Sequence, residues 1–489
     1  MNDGPRALTL TQRLALLDDL AALHSDADGN VTASEVLRSF LPLSVHARAL
    51  YDRILVVSGQ RGAGKTALFR FLRAATEKGL SPRDLLGDTR ISDAAWIEGF
   101  SENSQRHPYT DVLVQFGAEK HTNALRAFWL GSLAGVLADH GLELPPIFGD
   151  AWRRDLHEPH KWLPIAQLQL GPLTAALDRL DQQLARAGRQ IVVTYDNLDR
   201  LKLTGEGPQR YTAALVDLWQ SLTNRLKSIR CKLFLRYDLL SQVGRDWPDA
   251  SKLLARAVDL TWEDAGIFQL FARVMGAQSE GLRQFVIEAG VRYRHHPQLG
   301  ELPDTHFAEE EERRALMSRL AGKMMGSGTG KGYTDRWILA RSRDGRGALS
   351  PRAAVRILAL AAQHRRTEGG AGPEAALLGH RDLVAGAQRA SPERVLEVAE
   401  EHPVIDRLEL LRNREIPVTR DVVLELMVQT PREGGSAEAD LAKLEEIGAV
   451  APHGTGEDVR YDVPDIYRFH YGISRKGGPQ LPTRPSVRR

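Results

Sequence analysis

The chain has 489 residues, 42% hydrophobic and 26% charged, with a formal net charge of +2. At roughly 100–200 residues per domain this length corresponds to about two to four domains, and the near balance of charge excludes a general attraction to nucleic acid, so any such contact needs a local patch. A single cysteine, Cys231, excludes an intramolecular disulfide and a cysteine-rich zinc site and fits a reducing compartment.

The N-terminus "MNDGPRALTLTQRLALLDDL" has no basic stretch followed by an apolar core, so no signal peptide is expected. No uncharged apolar run approaches the length of a membrane span, so the expectation is a cytoplasmic protein with no membrane partner. Residues 1–45 read as a helical N-terminal arm. Within it "SDADGNVTASEVL" imitates a calcium loop, with Asp26, Asp28, Asn30, Thr32 and Ser34 in ligand places. Val31 stands where the sharp turn needs glycine and Leu37 where a bidentate glutamate belongs, so a turn followed by a capped helix is expected instead.

The stretch "RILVVSGQRGAGKTALFRFL", residues 53–72, joins a short Ile/Val-rich run to a Gly-rich turn and then to helical spacing. Gly59, Gln60, Arg61, Gly62, Ala63, Gly64, Lys65 and Thr66 fit the phosphate-loop pattern G-x-x-x-x-G-K-[ST]. Glycines let the backbone wrap close enough to aim successive N–H groups at phosphate oxygens, and the helix N-terminus adds partial positive charge. Lys65 then reaches the β- and γ-phosphates and Thr66 offers its hydroxyl to Mg²⁺. The helix is expected to stop at Gly79. A bare strand-to-helix turn needs neither Lys nor Thr in that register.

Residues 80–170 read as insertion-like, with several Trp and Pro. "HEPHKW" is not a zinc motif, because Pro159 interrupts the spacing and no third ligand is evident. In "GRQIVVTYDNLDRL", Ile191 to Tyr195 is an expected strand with Asp196 at its carboxyl end, where ligands of a parallel sheet gather. Asp196 is the metal-side carboxylate. Asn197 follows where a hydrolysing phosphate-loop protein usually carries a glutamate base. Asp199 either polarises water or caps the next helix. "YTAALVDLWQSLTNRLK" is an amphipathic helix, and "CKLFLRYDLL" a central strand ending in Arg236. Arg236 either senses the γ-phosphate or pairs with Asp238. A further short strand is expected in "RAVDLTW", 256–262. Alternating strands and helices from about 50 to 262 imply a doubly wound α/β domain.

"RHHPQ", 294–298, receives a structural reading. "GSGTGKGY", 326–333, lacks the first glycine and the Ser/Thr of the phosphate-loop pattern and reads as a flexible loop. Ser350-Pro351-Arg352 marks a helix start, with Ser as N-cap and Pro at the first helical position. "TEGGAGPE", 367–374, reads as a linker, followed by helical residues to 412. The segment from Thr419 to Phe469 holds two helices, a strand, a Gly-containing turn and another strand, which resembles a winged-helix domain. Its second helix, "EADLAKLEEIGA", is acidic, which suits a protein surface better than the phosphate-lined groove of DNA. From Gly472 to Arg489 come five basic residues, three prolines and no acid, an extended tail suited to phosphates or an acidic partner.

"GQRGAGKT", "IVVTYDNLDRL", "KLFLRYDLL" and "LSPRAAVRIL", in that order, resemble the additional-strand P-loop ATPases of the AAA+ and STAND kind, in particular bacterial ATPases with a C-terminal winged helix. The resemblance covers residues 45 to 365. It implies ATP or ADP as ligand, Mg²⁺ as cofactor, assembly as a homo-oligomer, and Arg352 as the lid arginine that reads the nucleotide. It further implies a motor acting on DNA, RNA or protein, with a neighbour's arginine completing the site (Arg200 or Arg210). The alternative is a slow signalling switch whose winged helix locks the resting state. A role in bacterial defence fits either; a small-molecule kinase needs none of the accessory parts. The expected organisation is 1–45 N-terminal arm, 46–262 P-loop ATPase core, 263–366 helical lid, 367–412 linker and helices, 413–472 winged helix, and 473–489 basic tail.

Overall fold

The computed structural model describes residues 8–23, 32–101, 107, 122–143, 155–198, 207–237, 240, 250–327, 331–371, 376–432, 434–454 and 458–478. Two compact units divide the chain. One is Val31–Leu260; the other combines Met1–Asn30 with Thr261–Arg489.

The first unit is built on five parallel strands: β1 (Val56–Gly59), β2 (Ala95–Phe100), β3 (Ile191–Tyr195), β4 (Ile229–Arg236) and β5 (Ala257–Asp259), in the order β2-β3-β4-β1-β5. β1 and β3 are fully buried, which is why both read as continuous apolar runs. The step from β1 to β2 runs one way across the sheet and the steps to β3 and β4 run back. Right-handed crossovers therefore place their helices on opposite faces, the doubly wound arrangement expected from the sequence. Helix Lys65–Glu77 packs with helix Ala33–Ser39 on one side, where the Phe40 and Phe71 rings stack at 4.2 Å. Helices Thr122–Ala138, Leu170–Arg186 and Gly207–Arg225 share a separate core with the sheet, centred on Trp129, Trp162, Tyr195 and Trp219.

Several boundaries differ from the sequence reading. β1 starts at Val56 rather than Arg53, because the Leu55 and Val56 N–H groups both turn to the Arg256 carbonyl, at 2.8 and 3.1 Å, before regular pairing begins. β2 lies inside the stretch read as an insertion; its apolar pattern Trp96, Ile97, Phe100 is interrupted by Glu98 and Gly99. β5 is three residues long. In the imitation calcium loop the described part is a capping box: Thr32 caps helix Ala33–Ser39 and Glu35 reaches back to the Thr32 N–H at 2.8 Å. Asp155, His157 and Glu158 do approach within 4.8 Å of one another, but Lys161 bridges both carboxylates at 3.4 and 2.9 Å.

The second unit is helical with a winged-helix end. Helix Leu10–Ala21 buries Leu16, Leu17 and Leu20 against helix Pro351–Thr367, and Arg13 donates to the Ala376 and Leu377 carbonyls at 2.6 and 3.0 Å. The expected N-terminal arm is therefore not one piece: residues 10–21 belong to this core and residues 33–39 to the sheet unit, each apolar face matching a different partner. Helix His380–Ala399 lies along Pro351–Thr367 so closely that a Cβ on Gly386 would sit 2.4 Å from the Ile357 carbonyl. A hairpin, β6 (Tyr293–His296) and β7 (Gly300–Pro303), packs on helix Asp264–Gln278. The flanks of the "GSGTGKGY" loop are joined by a bridge between Met324 and Tyr333; residues 328–330 lie outside the described residues.

The winged-helix end contains β8 (Glu415–Ile416), β9 (Val418–Thr419), helices Arg420–Gln429 and Ala437–Glu446, β10 (Ala451–His453), β11 (Arg460–Asp462) and β12 (Ser474–Arg475). β10, β11 and β9 form an antiparallel sheet and β12 pairs with β8. The stretch read as an extended basic tail begins inside the fold. Arg475, 4% exposed, is bound by Asp462 at 2.9 Å and Asp465 at 2.5 Å. Arg484, Arg488 and Arg489 lie outside the described residues.

Candidate nucleotide-binding site

Gly59 ends β1 in a tight place: a Cβ there would approach Ala63 Cβ at 3.1 Å. Gly62 (φ 80°) and Gly64 (φ 97°) adopt left-handed backbone that L side chains rarely take. Between them Ala63 is buried, while Gln60, Arg61 and Thr66 are half-buried. Ala63 N–H closes a turn onto the Gln60 carbonyl at 3.1 Å. Among the described residues, the N–H groups of Gly62, Gly64 and Thr66 meet no protein acceptor. Successive unsatisfied N–H groups at the mouth of a helix form an anion-binding concavity. Lys65, the first helical residue and 9% exposed, curls its ammonium back onto the Gly59 and Gln60 carbonyls at 2.7 and 2.9 Å. The donor set therefore fits a polyphosphate: backbone donors and one ammonium within a single eight-residue loop. The helix ends as the sequence indicates. Gly79 takes φ 65°, and Leu80 N–H returns to the Ala75 carbonyl at 2.8 Å.

β4 separates β1 from β3, so an additional strand stands between the loop strand and the acidic strand. Parallel register puts Arg236 directly beside Gly59, at the same carboxyl edge as the loop. Arg236 is half-buried. Asp196 follows β3 at this edge, 3% exposed, with its N–H on the Phe100 carbonyl at 3.1 Å. That bond depends on Gly99. The β2–β3 register shifts there, and a Cβ would meet the Tyr195 ring at 2.7 Å. Sequence reading missed Gly99 because the strand carrying it was missed; "AWIEGF" is the signal that held it. On the other side of β1, Ser58 Oγ donates to Asp259 Oδ1 at 3.2 Å. Beneath the edge, burial pushes the Tyr195 phenol and the Cys231 thiol well above their ordinary values, so Cys231 is an inert core thiol.

Asn197 adopts φ 57°, a conformation for which Asn is enriched. This backbone gives a local reason for Asn at the position where a glutamate base was expected. Asp199, Arg200 and Asp238 lie outside the described residues, and Arg210 is exposed on helix Gly207–Arg225. Arg352 belongs to the other unit. There Ser350 Oγ caps its helix, accepting from Ala353 N–H at 3.3 Å, and Pro351 opens it, so the helix start read from sequence is present. The Arg352 guanidinium donates to Glu397 at 2.8 Å, and Glu397 also takes Arg394 at 3.0 Å. These two cations hold the Glu397 carboxyl below its ordinary value, against the opposing effect of burial.

No family model and no curated protein matches the chain. Among solved structures it is similar to the ORC2 protein of Aeropyrum pernix in ADPNP–ADP complexes (13% identity, 92% of this chain and 97% of that one, TM-score 0.39). The ADP form of the same protein matches at 13% identity, 95% and 92% coverage and a TM-score of 0.31. The ORC1 protein of Aeropyrum pernix in complex with DNA matches at 13% identity, 88% and 93% coverage and a TM-score of 0.36. At those scores the likenesses carry no weight for the site, which rests on the loop and the sheet edge described above. Among the described residues no helix is long and apolar enough to cross a membrane.

Proposed function

We propose that the chain binds ATP and Mg²⁺ on the Gly59–Thr66 loop and hydrolyses ATP slowly or on stimulation by a partner, as an ATPase of the AAA+/STAND-like kind. The observation that carries this reading is the loop itself: two left-handed glycines, three N–H groups turned to no protein acceptor, and a buried lysine at a helix mouth. In this reading Gly59, Gln60, Arg61, Gly62, Ala63 and Gly64 supply the cradle and Lys65 meets the β- and γ-phosphates. Thr66 and Asp196 hold the metal shell, Arg236 faces the γ-phosphate, and Arg352 reads the nucleotide state. Mg²⁺ held by these residues would neutralise charge on the bound polyphosphate. Asp199 is the remaining candidate to polarise water, because Asn197 is spent on the turn after β3.

The second reading, a nucleotide-dependent switch rather than a motor, is favoured by how the winged helix is held. Gly345 N–H donates to the Gly448 carbonyl at 2.7 Å, and a Cβ on Gly345 would meet the Val450 carbonyl at 2.3 Å. Arg341 binds the buried Asp465 at 2.8 Å. A winged helix interlocked with the segment that precedes Arg352 suits a rigid readout better than a loosely tethered nucleic-acid module. Homo-oligomer assembly and a role in bacterial defence belong to the same proposal.

ATP affinity and turnover of wild type, Lys65→Ala and Asp196→Asn, with and without DNA, test it. Losing the ammonium removes charge-assisted contacts of about 1.5–3 kcal/mol each, so Lys65→Ala is expected to weaken ATP binding about 10- to 100-fold. Asp196→Asn is expected to abolish turnover while ATP still binds. Wild-type ATP affinity in Lys65→Ala would overturn the assignment of the loop. Fast turnover without a partner would count against the switch.

A further inference from the structure

We propose that Glu397 competes with ATP for Arg352: the carboxylate holds the arginine when no nucleotide is bound, and ATP binding draws it away. The inference rests on the nucleotide reading above and adds a regulation to it, one that ties Arg352 to the winged-helix end.

Arg352 follows Pro351 at the start of helix Pro351–Thr367. Its Nη1 donates to Glu397 Oε1 at 2.8 Å, reaching helix His380–Ala399 across 45 residues of chain. The other carboxylate oxygen, Oε2, accepts from Nη1 of Arg394, one turn earlier on that helix, at 3.0 Å. Arg394 is buried and also hydrogen-bonds the hydroxyl of Tyr467, which is 1% exposed in the short helix Asp465–Arg468. Ala353, the residue after Arg352, is buried in one apolar cluster with Val395, Val398 and Tyr467, the cluster that forms the core of the winged-helix end. One carboxylate therefore bridges two arginines, and the second of them is fixed by the winged-helix end.

A neighbouring pair shows why this bridge can open. Arg356 and Glu393, one turn along the same two helices, meet through two parallel bonds at 2.7 Å each, and both side chains are partly in water. Opening that pair changes nothing that water does not replace. Glu397 is half-buried and needs a counter-charge. When Arg352 leaves, Arg394 stays bound, so no buried charge is stranded. Arg352 is half-buried too, and on a polyphosphate it exchanges one charge-assisted bond for another. The two states are then close enough in energy for a modest difference in affinity to shift the population between them. The two cations hold the Glu397 carboxyl below its ordinary value against the effect of burial, which keeps it charged near neutral pH.

The test is ATP affinity of the full chain as wild type, Glu397→Gln, Arg352→Ala and Arg352→Ala/Glu397→Gln. Glu397→Gln keeps an oxygen for Arg394 and removes the charge that holds Arg352. It is expected to tighten ATP binding about 5- to 10-fold, the low end of couplings between sites. On the Arg352→Ala background the same change is expected to leave affinity where it was, because its effect runs through that arginine. Glu393→Gln, which opens the neighbouring pair, should keep wild-type affinity. If the loss of counter-charge at Arg394 unfolds the Gln variant, Arg394→Met/Glu397→Gln removes both charges together and carries the same expectation. Unchanged affinity in the variants lacking Glu397 overturns the proposal, and so does an equal gain without Arg352 or in Glu393→Gln. If wild type binds ATP and Lys65→Ala does not, those outcomes defeat the competition alone. A wild type that binds no ATP defeats the nucleotide reading, and the competition with it.

Discussion

The two units bury charge in different ways. In the sheet unit three of the buried charged groups bind backbone. Asp181 accepts the Lys227, Ser228 and Ile229 N–H groups at 2.7–3.0 Å, Lys232 donates to the Tyr51 and Ile54 carbonyls at 2.5 and 2.6 Å, and Lys65 donates to its own loop. In the helical unit, buried aspartates often bind half-buried arginines across long sequence separations, as in Arg341–Asp465, Arg365–Asp382 and Arg407–Asp440. The sheet edge needs irregular backbone where ligands gather, and irregular backbone needs partners. Helices satisfy their own backbone, so their polar burial is available for joining one element to another.

The comparison breaks most sharply at Asp465. Its carboxylate is fully buried and takes Arg341, Arg468 and Arg475. Asp465→Ala strands three cations and is expected to cost about 3–5 kcal/mol. In thermal melts the transition of the helical unit should fall while ATP binding at the loop persists; loss of both together would mean that the units do not melt separately.

A pH titration separates the units next. His46 in the sheet unit is buried, accepts the Leu43 N–H at 3.2 Å, and is pulled down to about 4 by burial. Its folded value lies below the ordinary value of about 6.5, so the unfolded chain takes up the proton first. The stability is present above about pH 6.5 and is lost as pH falls toward 4, about 3 kcal/mol in all. His46→Leu should flatten that acid limb; an unchanged limb would assign the loss to other groups.

Asp181→Asn tests the backbone-binding mode by replacing a charged acceptor, whose Oδ1 takes all three N–H groups, with a neutral one. A loss of about 1–3 kcal/mol is expected, read as a lower denaturant midpoint with an unchanged slope. The smallest effect belongs to Asp18→Asn, which removes the partner of Arg366 between two well-exposed side chains. It should change stability by less than about 0.5 kcal/mol. A larger loss would make the attachment of helix Leu10–Ala21 depend on charge rather than on Leu16, Leu17 and Leu20.

Legibility in the sequence followed the range of the interaction. Gly62, Gly64, Lys65 and Thr66 were readable because the φ values and the helix start they require are set within eight residues. Ile191–Tyr195 and the two helices of the winged-helix end were readable because burial imposes its period locally. β2 was not, since Glu98 and Gly99 interrupt its apolar run, and the reason for Gly99 lies on another strand, in the Tyr195 ring. Arg475 was read as part of an extended tail because nothing adjacent to it shows Asp462 and Asp465 converging. The hairpin was hidden for the same reason: "VRYRHHPQLGELP" has its anchor in Arg273 and Gly276, one helix earlier.

The sequence by itself determined a phosphate-loop geometry, an acidic strand end and an alternating α/β core, because left-handed glycines, helix starts and buried strands are local properties of the chain. Only the tertiary structure decided that β4 lies between β1 and β3, that Arg236 stands level with Gly59, and that the N-terminal helix joins the helical unit. Those facts depend on which apolar faces and buried charges meet across long separations, and no local spacing encodes that choice.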